Sequence, residues 1–312
     1  MLNILSKTMF CPVRYFFSAT IFLASLQPVP AKAADPAQDA GSIQASEADN
    51  QIDPSLLTPA EILKIPASGA ASGTEIFGYR WPFEDRDLAA EIGDAPILVE
   101  FYSDWTCAYC APVDQFFNDL VQKTPVIGIA CHVDLMNVMP DDPLVSKDCI
   151  KRQGMYTARL WRRRTTPDIF INGKKFSLGF RFHTVVDTML AESKAAPLMR
   201  LNIKPEGNAT YAIDMPEIAF GPVTDFNDRA FVSLFEYKKP VSHKTTLGPN
   251  MGREGVYRHV VSHISPLPDW FGEKGAYTFD WTPSEDAAGA VIIMERKDSS
   301  VFAVGEIKLI NK

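Results

Sequence analysis

Two cysteines at the spacing Cys107-Ala108-Tyr109-Cys110 follow an apolar run, Ile97 to Tyr102, and the bridge Ser103-Asp104-Trp105-Thr106. A strand that hands a Cys-x-x-Cys to the start of a helix favours thiol chemistry. The partial positive charge and unpaired N–H groups of a helix N-terminus stabilise a thiolate at the first cysteine, with the second within bonding reach. Three chemistries are open to such a pair: a redox-active dithiol, an inert disulfide staple, and thiolate metal ligation. The metal reading needs further donors, which Cys131 and His132 could supply, and a thiolate-rich site suits copper(I) better than zinc. There is no second Cys-x-x-Cys, so no metal site is assigned and copper stands as the alternative cofactor. His132 itself reads more readily as a hydrogen-bonded strand-end residue. His259 and His263 are four apart but lack the glutamate of a His-Glu-x-x-His pattern.

The elements that must position the cysteines are legible from periodicity. Pro96 to Tyr102 reads as a strand. Val113, Phe116, Phe117, Leu120 and Val121 recur at helical spacing over Ala111 to Lys123, and Val126 to Val133 is a second apolar strand. A helix is expected from Ser146 to Trp161, ending in Arg162-Arg163-Arg164, where cations suit the helix dipole. Pro167 to Ile171 and Lys174 to Leu178 flank Asn172-Gly173, a strong hairpin signal, and Thr184 to Glu192 reads as a last helix. The order β-α-β-α-β-β-α predicts a mixed sheet that ends in an antiparallel hairpin, with helices on its faces.

Beyond Ala196 the pattern changes to short alternating stretches separated by turn residues, among them Phe231 to Phe235, Val291 to Met294 and Val301 to Val304. These predict a β-sandwich of about seven strands, with a short helix at Glu254 to His263. Trp81, Trp161, Trp270 and Trp281 read as core anchors.

The chain has 312 residues, 46% hydrophobic and 22% charged, and a formal charge of −7. That is a globular composition with no general attraction to nucleic acid or anionic lipid, so nucleic-acid binding is disfavoured. Lys7 and Arg14, the apolar stretch Tyr15 to Leu26 and the small residues Ala31-Lys32-Ala33 read as a cleaved export signal, with the mature chain starting near Ala34. No other run is long and apolar enough to predict a span in the mature chain. The expected organisation is a signal at 1–33, a flexible leader with a short helix near Thr58 at 34–75, an α/β domain at 76–196 and a mostly-β, sandwich-like domain at 197–312. Loss of Cys11 with the signal leaves Cys107, Cys110, Cys131 and Cys149, an even count suited to an oxidising periplasmic or secreted location, in which two disulfides can form.

The segment Ile97 to Leu190 resembles the thioredoxin fold, through the strand Ile97 to Tyr102, Trp105 with its Cys-x-x-Cys, and Thr166-Pro167 before Asp168 to Gly173. More narrowly, residues 95–310 resemble the bacterial secreted family DUF1223. The shared features are Cys107 to Pro112, His132-Val133-Asp134, Thr166-Pro167, and Gly252-Arg253 leading to Val260-Val261. The resemblance implies Cys107 as attacking thiolate and Cys110 as resolving thiol. It also implies Pro167 as a cis-proline facing them and Glu100 as a buried acid that moves the proton of Cys110. Trp105, Tyr109 and Thr166 would border the partner groove, and Arg253 would bind an anion or join the two domains. Cys131 and Cys149, at a strand end and an early helix, suggest a structural disulfide.

The implied activity is thiol-disulfide exchange with protein thiols or disulfides and a redox partner the sequence does not name. No cofactor beyond the redox-active disulfide is required. Ala108-Tyr109 matches neither the Gly-Pro of reductants nor the Pro-His of strong oxidants, which leaves the direction open. The alternative classes are a non-catalytic binding scaffold in which Cys107 and Cys110 are a staple, and a copper(I)-handling module.

Overall fold

The computed structural model describes residues 79–135, 143–220 and 228–309. The export signal, the leader with its short helix, and Pro140 to Asp142 lie outside them. The described chain is a mixed α/β structure in which sheets predominate, arranged as several small sheets with no barrel.

A short helix α1 (Leu88–Ile92), N-capped by the Asp87 carboxylate, precedes strand β1 (Leu98–Ser103). Helix α2 (Cys110–Lys123) follows and ends where Thr124 turns extended ahead of Pro125. Strand β2 (Ile127–His132), helix α3 (Lys147–Arg159), the hairpin β3 (Asp168–Ile171) and β4 (Lys175–Leu178), and helix α4 (Phe182–Ala195) complete the first half. The sheet order is β2-β1-β3-β4, with β1 parallel to β2 and antiparallel to β3. At the hairpin tip Asn172 and Gly173 both take left-handed φ, which is why Asn-Gly is the residue pair found there.

The second half contains β5 (Met199–Arg200), β6 (Ile203–Gly207), β7 (Thr210–Met215), β8 (Phe231–Lys238), β9 (Val241–Lys244), β10 (Glu254–Tyr257), β11 (Val261–Pro266), β12 (Gly275–Asp280), β13 (Ala287–Glu295) and β14 (Val301–Lys308). They form a five-stranded sheet β11-β8-β13-β14-β5, a three-stranded sheet β12-β7-β6 and the hairpin β9-β10.

Strand alternation explains how these layers stack, because neighbouring side chains point to opposite faces. On β1, Val99 and Phe101 share one apolar cluster with Val113, Phe116 and Phe117 of α2 and Val185 and Met189 of α4. Leu98 and Tyr102 share another with Phe235 of β8 and Val291 and Ile293 of β13. The intervening β13 residues Ala290, Ile292 and Met294 join a third cluster with Ile213 and Met215 of β7 and Phe279 of β12. Strand β13 is therefore buried on both faces, and the first sheet and the five-stranded sheet share a core. Each fully buried branched or aromatic side chain adds roughly 1.5–3 kcal/mol to that core. Gly128 on β2 is set by close approach, since a Cβ there would stand 2.4 Å from Val121 Cγ1 on α2.

The structure differs from the sequence reading in particular places. The expected helix at Glu254 to His263 is instead β10 and the start of β11. Burial of Glu254 to Tyr257 alternates exposed and buried, a period of two, and His259 takes a left-handed φ of 52° that interrupts any helix. His259 is consequently not paired with His263 on a helix face. Its Nδ1 lies 2.8 Å from the Gly128 carbonyl, its ring stacks on Tyr237, and the Ala130–Val260 bridge beside it covers the edge of β2. Trp161, expected in the core, is 96% exposed beyond the end of α3, whereas Trp81, Trp270 and Trp281 are buried.

Candidate functional site

Asp104 builds the turn that carries the first cysteine. Its buried carboxylate accepts hydrogen bonds from the Thr106 amide at 2.7 Å, the Thr106 hydroxyl at 2.6 Å and the Leu135 amide at 3.0 Å. Its carbonyl accepts from the Cys107 amide at 3.0 Å. Helix α2 begins at Cys110, so Cys107 stands one turn ahead of it, partly exposed, while Cys110 is buried. Both are free thiols.

Across from them, Thr166-Pro167 forms a cis peptide and the Cys107 thiol donates to the Thr166 carbonyl at 3.3 Å. Tyr109, between the two cysteines, pairs with Phe180 at 5.8 Å between ring centroids. The structure thus brings Cys107, Cys110, Thr166, Pro167 and Tyr109 together.

The two thiols are polarised in opposite senses. A hydrogen bond from the Cys110 thiol, supported by the Thr166 side chain and the Tyr109 backbone, holds Cys107 below the usual thiol range against the opposing effect of burial. Burial first, then the neighbouring Cys107 and the nearby Asp114 carboxylate, pushes Cys110 well above it. The arrangement is a partly exposed first cysteine with a lowered thiol pKa, backed by a buried second cysteine whose thiol is held protonated.

Trp105 and Glu100 sit elsewhere than the groove and proton-relay roles require. Trp105 is 3% exposed, stacked on His243 of β9 at 3.8 Å and edge-on to His132 at 6.4 Å, beneath the β9-β10 hairpin. Glu100 lies between Leu98 and Tyr102, on the face of β1 turned away from α2. There it accepts from Arg152 Nε at 2.7 Å and Nη2 at 3.1 Å, from the Tyr156 hydroxyl, and from the Tyr102 hydroxyl at 3.3 Å. Arg152 also reaches Glu295 of β13 at 3.0 Å, so the buried group ties β1, α3 and the five-stranded sheet together. The period of two in β1 puts Glu100 in this ion network. The carboxylates that bear on the cysteines are Asp104 and Asp114.

Cys131 and Cys149 form a disulfide from β2 to the first turn of α3, with Cα atoms 5.3 Å apart. Cys131 is thereby removed as a metal donor, and among the described residues no three His, Cys, Asp or Glu side chains converge to hold a metal ion. His132 is fully buried. Burial, with a smaller contribution from His243, pushes its pKa down to about 3, so it is neutral at ordinary pH.

Arg253 ends the segment between β9 and β10, where its backbone hydrogen-bonds to Thr245 and Asn250 of the same segment. The residues that contact the cysteine turn are its neighbours: Asn250 Nδ2 donates to the Trp105 carbonyl at 3.0 Å and to the Cys107 carbonyl at 2.7 Å. A Cβ on Gly248 would stand 3.2 Å from Thr106 Cα, so a glycine fits where the segment touches the cysteine turn. Sequence reasoning missed Asp104, His243 and Asn250. The Ser-Asp before Trp105 is an Asx-turn signal that could have found the first. Nothing in the local sequence marks the other two.

Residues 98–295 match the family described as "Protein of unknown function (DUF1223)", more than half of the chain, and the protein belongs to that family. Among solved structures, the chain is similar to an X-ray crystal structure of a protein from Agrobacterium tumefaciens. The TM-score is 0.55 and the identity 20%, over 70% of this chain and 96% of that one. It is also similar, more weakly, to HBP35 of Porphyromonas gingivalis, with a TM-score of 0.44 and 13% identity over 69% of this chain and 75% of that one. No match to a curated protein was found. No helix among the described residues is long and apolar enough to cross a membrane.

Proposed function

We propose that the protein is an exported, periplasmic or secreted thiol-disulfide oxidoreductase that acts on protein cysteines through Cys107 and Cys110. The carrying observation is the asymmetry of the pair: Cys107 is reachable and lowered in pKa by a bond from Cys110, which is itself buried and held protonated. The first half of the chain is read as a thioredoxin-like domain. The sheet order β2-β1-β3-β4 and the placement of the Cys-x-x-Cys between β1 and α2 support this.

In one direction the Cys107 thiolate attacks a partner disulfide. A Cys107–partner bond forms, the partner S–S bond breaks, and the partner's second sulfur leaves as a thiolate and takes up a proton. Cys110, losing its proton, then attacks Cys107 Sγ. The Cys107–Cys110 disulfide forms and the partner's first sulfur departs and is protonated, so two electrons have passed to the partner. The reverse sequence oxidises a partner dithiol. Partner potential sets the direction. Asp104 and Asn250 hold the turn that presents Cys107 through both steps, and the nearby Asp114 carboxylate is the candidate for receiving the Cys110 proton.

Expression of Cys110→Ala in cells, with acid quenching and identification of adducts, tests the reading. Partner proteins joined to Cys107 through disulfides released by reductant are the expected result. No adducts, or equal adducts on a Cys107→Ala Cys110→Ala protein, would overturn it.

A further inference from the structure

The segment Thr245 to Arg253, between β9 and β10, is closed on itself. The Thr245 amide donates to the Arg253 carbonyl and the Gly252 amide to the Thr245 carbonyl, both at 2.8 Å. Its middle is pinned to the cysteine turn by the two Asn250 bonds and the close approach of Gly248 to Thr106. Flanking that pinned stretch, Leu247 and Met251 are 49% and 64% exposed. Few large apolar side chains among the described residues are this open, and these two stand beside the turn that holds the one accessible thiol.

We propose that this segment is a selection cap, and that Leu247 and Met251 are apolar contacts for an extended polypeptide whose cysteine is flanked by aliphatic or aromatic residues. The proposal rests on the exchange reading of Cys107. Bond formation fixes the partner sulfur about 2 Å from Cys107 Sγ. An extended chain advances only about 3.3–3.6 Å per residue, so residues within two or three positions of the partner cysteine come within reach of the cap, which is pinned to the backbone of Trp105 and Cys107. Displacing water from Leu247 and Met251 is favourable when the partner's flanking side chains are apolar and is offset by lost hydration when they are polar, which gives discrimination by side-chain type. Methionine's flexible, polarisable side chain adapts to several shapes, which suits a cap that selects a chemical class instead of one sequence. A small thiol such as glutathione is too short to gain from these contacts.

Short peptides carrying one cysteine as the glutathione mixed disulfide, flanked by leucines in one and serines in the other, serve as probes. The wild-type protein is expected to favour the leucine-flanked peptide in kcat/KM by about ten-fold, a usual size for lost apolar contacts. Leu247→Ser Met251→Ser is expected to bring the ratio towards one. Both side chains are exposed, and circular dichroism with thermal unfolding reports that the variant is folded. Absence of a wild-type preference, or a ratio unchanged in the variant, overturns the cap. Failure of the wild type to exchange with either peptide overturns the redox reading and the cap with it.

Discussion

The molecule holds two pairs of cysteines under opposite conditions. Cys107 and Cys110 sit in a turn and at a helix start, the first partly exposed and the second buried, with no bond between them. Cys131 and Cys149 are fully buried in the core between β2 and α3 and joined as a disulfide. One turn further along α3, Arg152 is locked to Glu100 and Glu295. Helix α3 is thus fastened to the first sheet by a covalent bond and to both halves by charge, whereas the turn ahead of α2 leaves Cys107 partly exposed while Cys110 is buried in the first turn of that helix. The pair in the turn has a first thiol held below the usual range and partial exposure at Cys107. The pair in the core has neither. Position relative to the sheets, and not cysteine count or spacing, separates the free pair from the bonded one.

The contrast can be broken first at the charge that supports the staple side. Arg152→Met leaves two buried carboxylates without their cation, and removal of one partner from a buried ion network costs about 3–5 kcal/mol. Urea unfolding is expected to show that loss. A change below about 1 kcal/mol would mean the network does not hold α3.

Next is the staple itself. A Cys131→Ala Cys149→Ala protein opens a cross-link with a sequence separation of 18 and is expected to lose about 3 kcal/mol. Exchange through Cys107 should persist at a temperature where the variant is folded. Loss of exchange in the folded variant would show that the two pairs communicate.

The smallest effect is the pH dependence contributed by His132. Its folded pKa of about 3 lies below the unfolded value near 6.5, so the unfolded chain binds the extra proton between them. The stability it contributes is full above pH ~6.5 and declines as pH falls towards 3. Partly buried His259 and His243, both also lowered, add in the same sense. His132→Leu is therefore expected to narrow the gap in unfolding free energy between pH 7 and pH 5. The narrowing is about 1.4 kcal/mol for each pH step of one over which the unfolded histidine is protonated and the folded one is not. An unchanged gap would show that His132 is not buried neutral.

Much of this is legible in the sequence where local pattern carries the information. The apolar run at Leu98 to Tyr102, the helical spacing of Val113, Phe116 and Leu120, and the Asn172-Gly173 turn each yield an element at nearly its observed bounds. The bond between Cys131 and Cys149 agrees with the disulfide expected from their places at a strand end and an early helix. Less legible are β9 to β12, whose short segments combine histidines, prolines and charged residues with few apolar positions. Glu100 is misassigned from sequence because a period of two states that neighbours face apart but not which layer each face meets. Trp105 reads as a groove residue because nothing near it in sequence announces a histidine 138 positions later that stacks over its ring.

The sequence by itself determined the strand–turn–helix that carries Cys107 and Cys110, the hairpin that faces it, and membership of its family, because these depend on contacts within a few residues or on short motifs. Tertiary structure alone decided that Glu100 is an ion-pair member, that Trp105 is covered, and that Asn250 grips the cysteine turn from 143 residues away. Those outcomes depend on which layers meet. Packing of the five-stranded sheet and its β9-β10 hairpin against the first sheet settles that, and a local window of sequence does not record it.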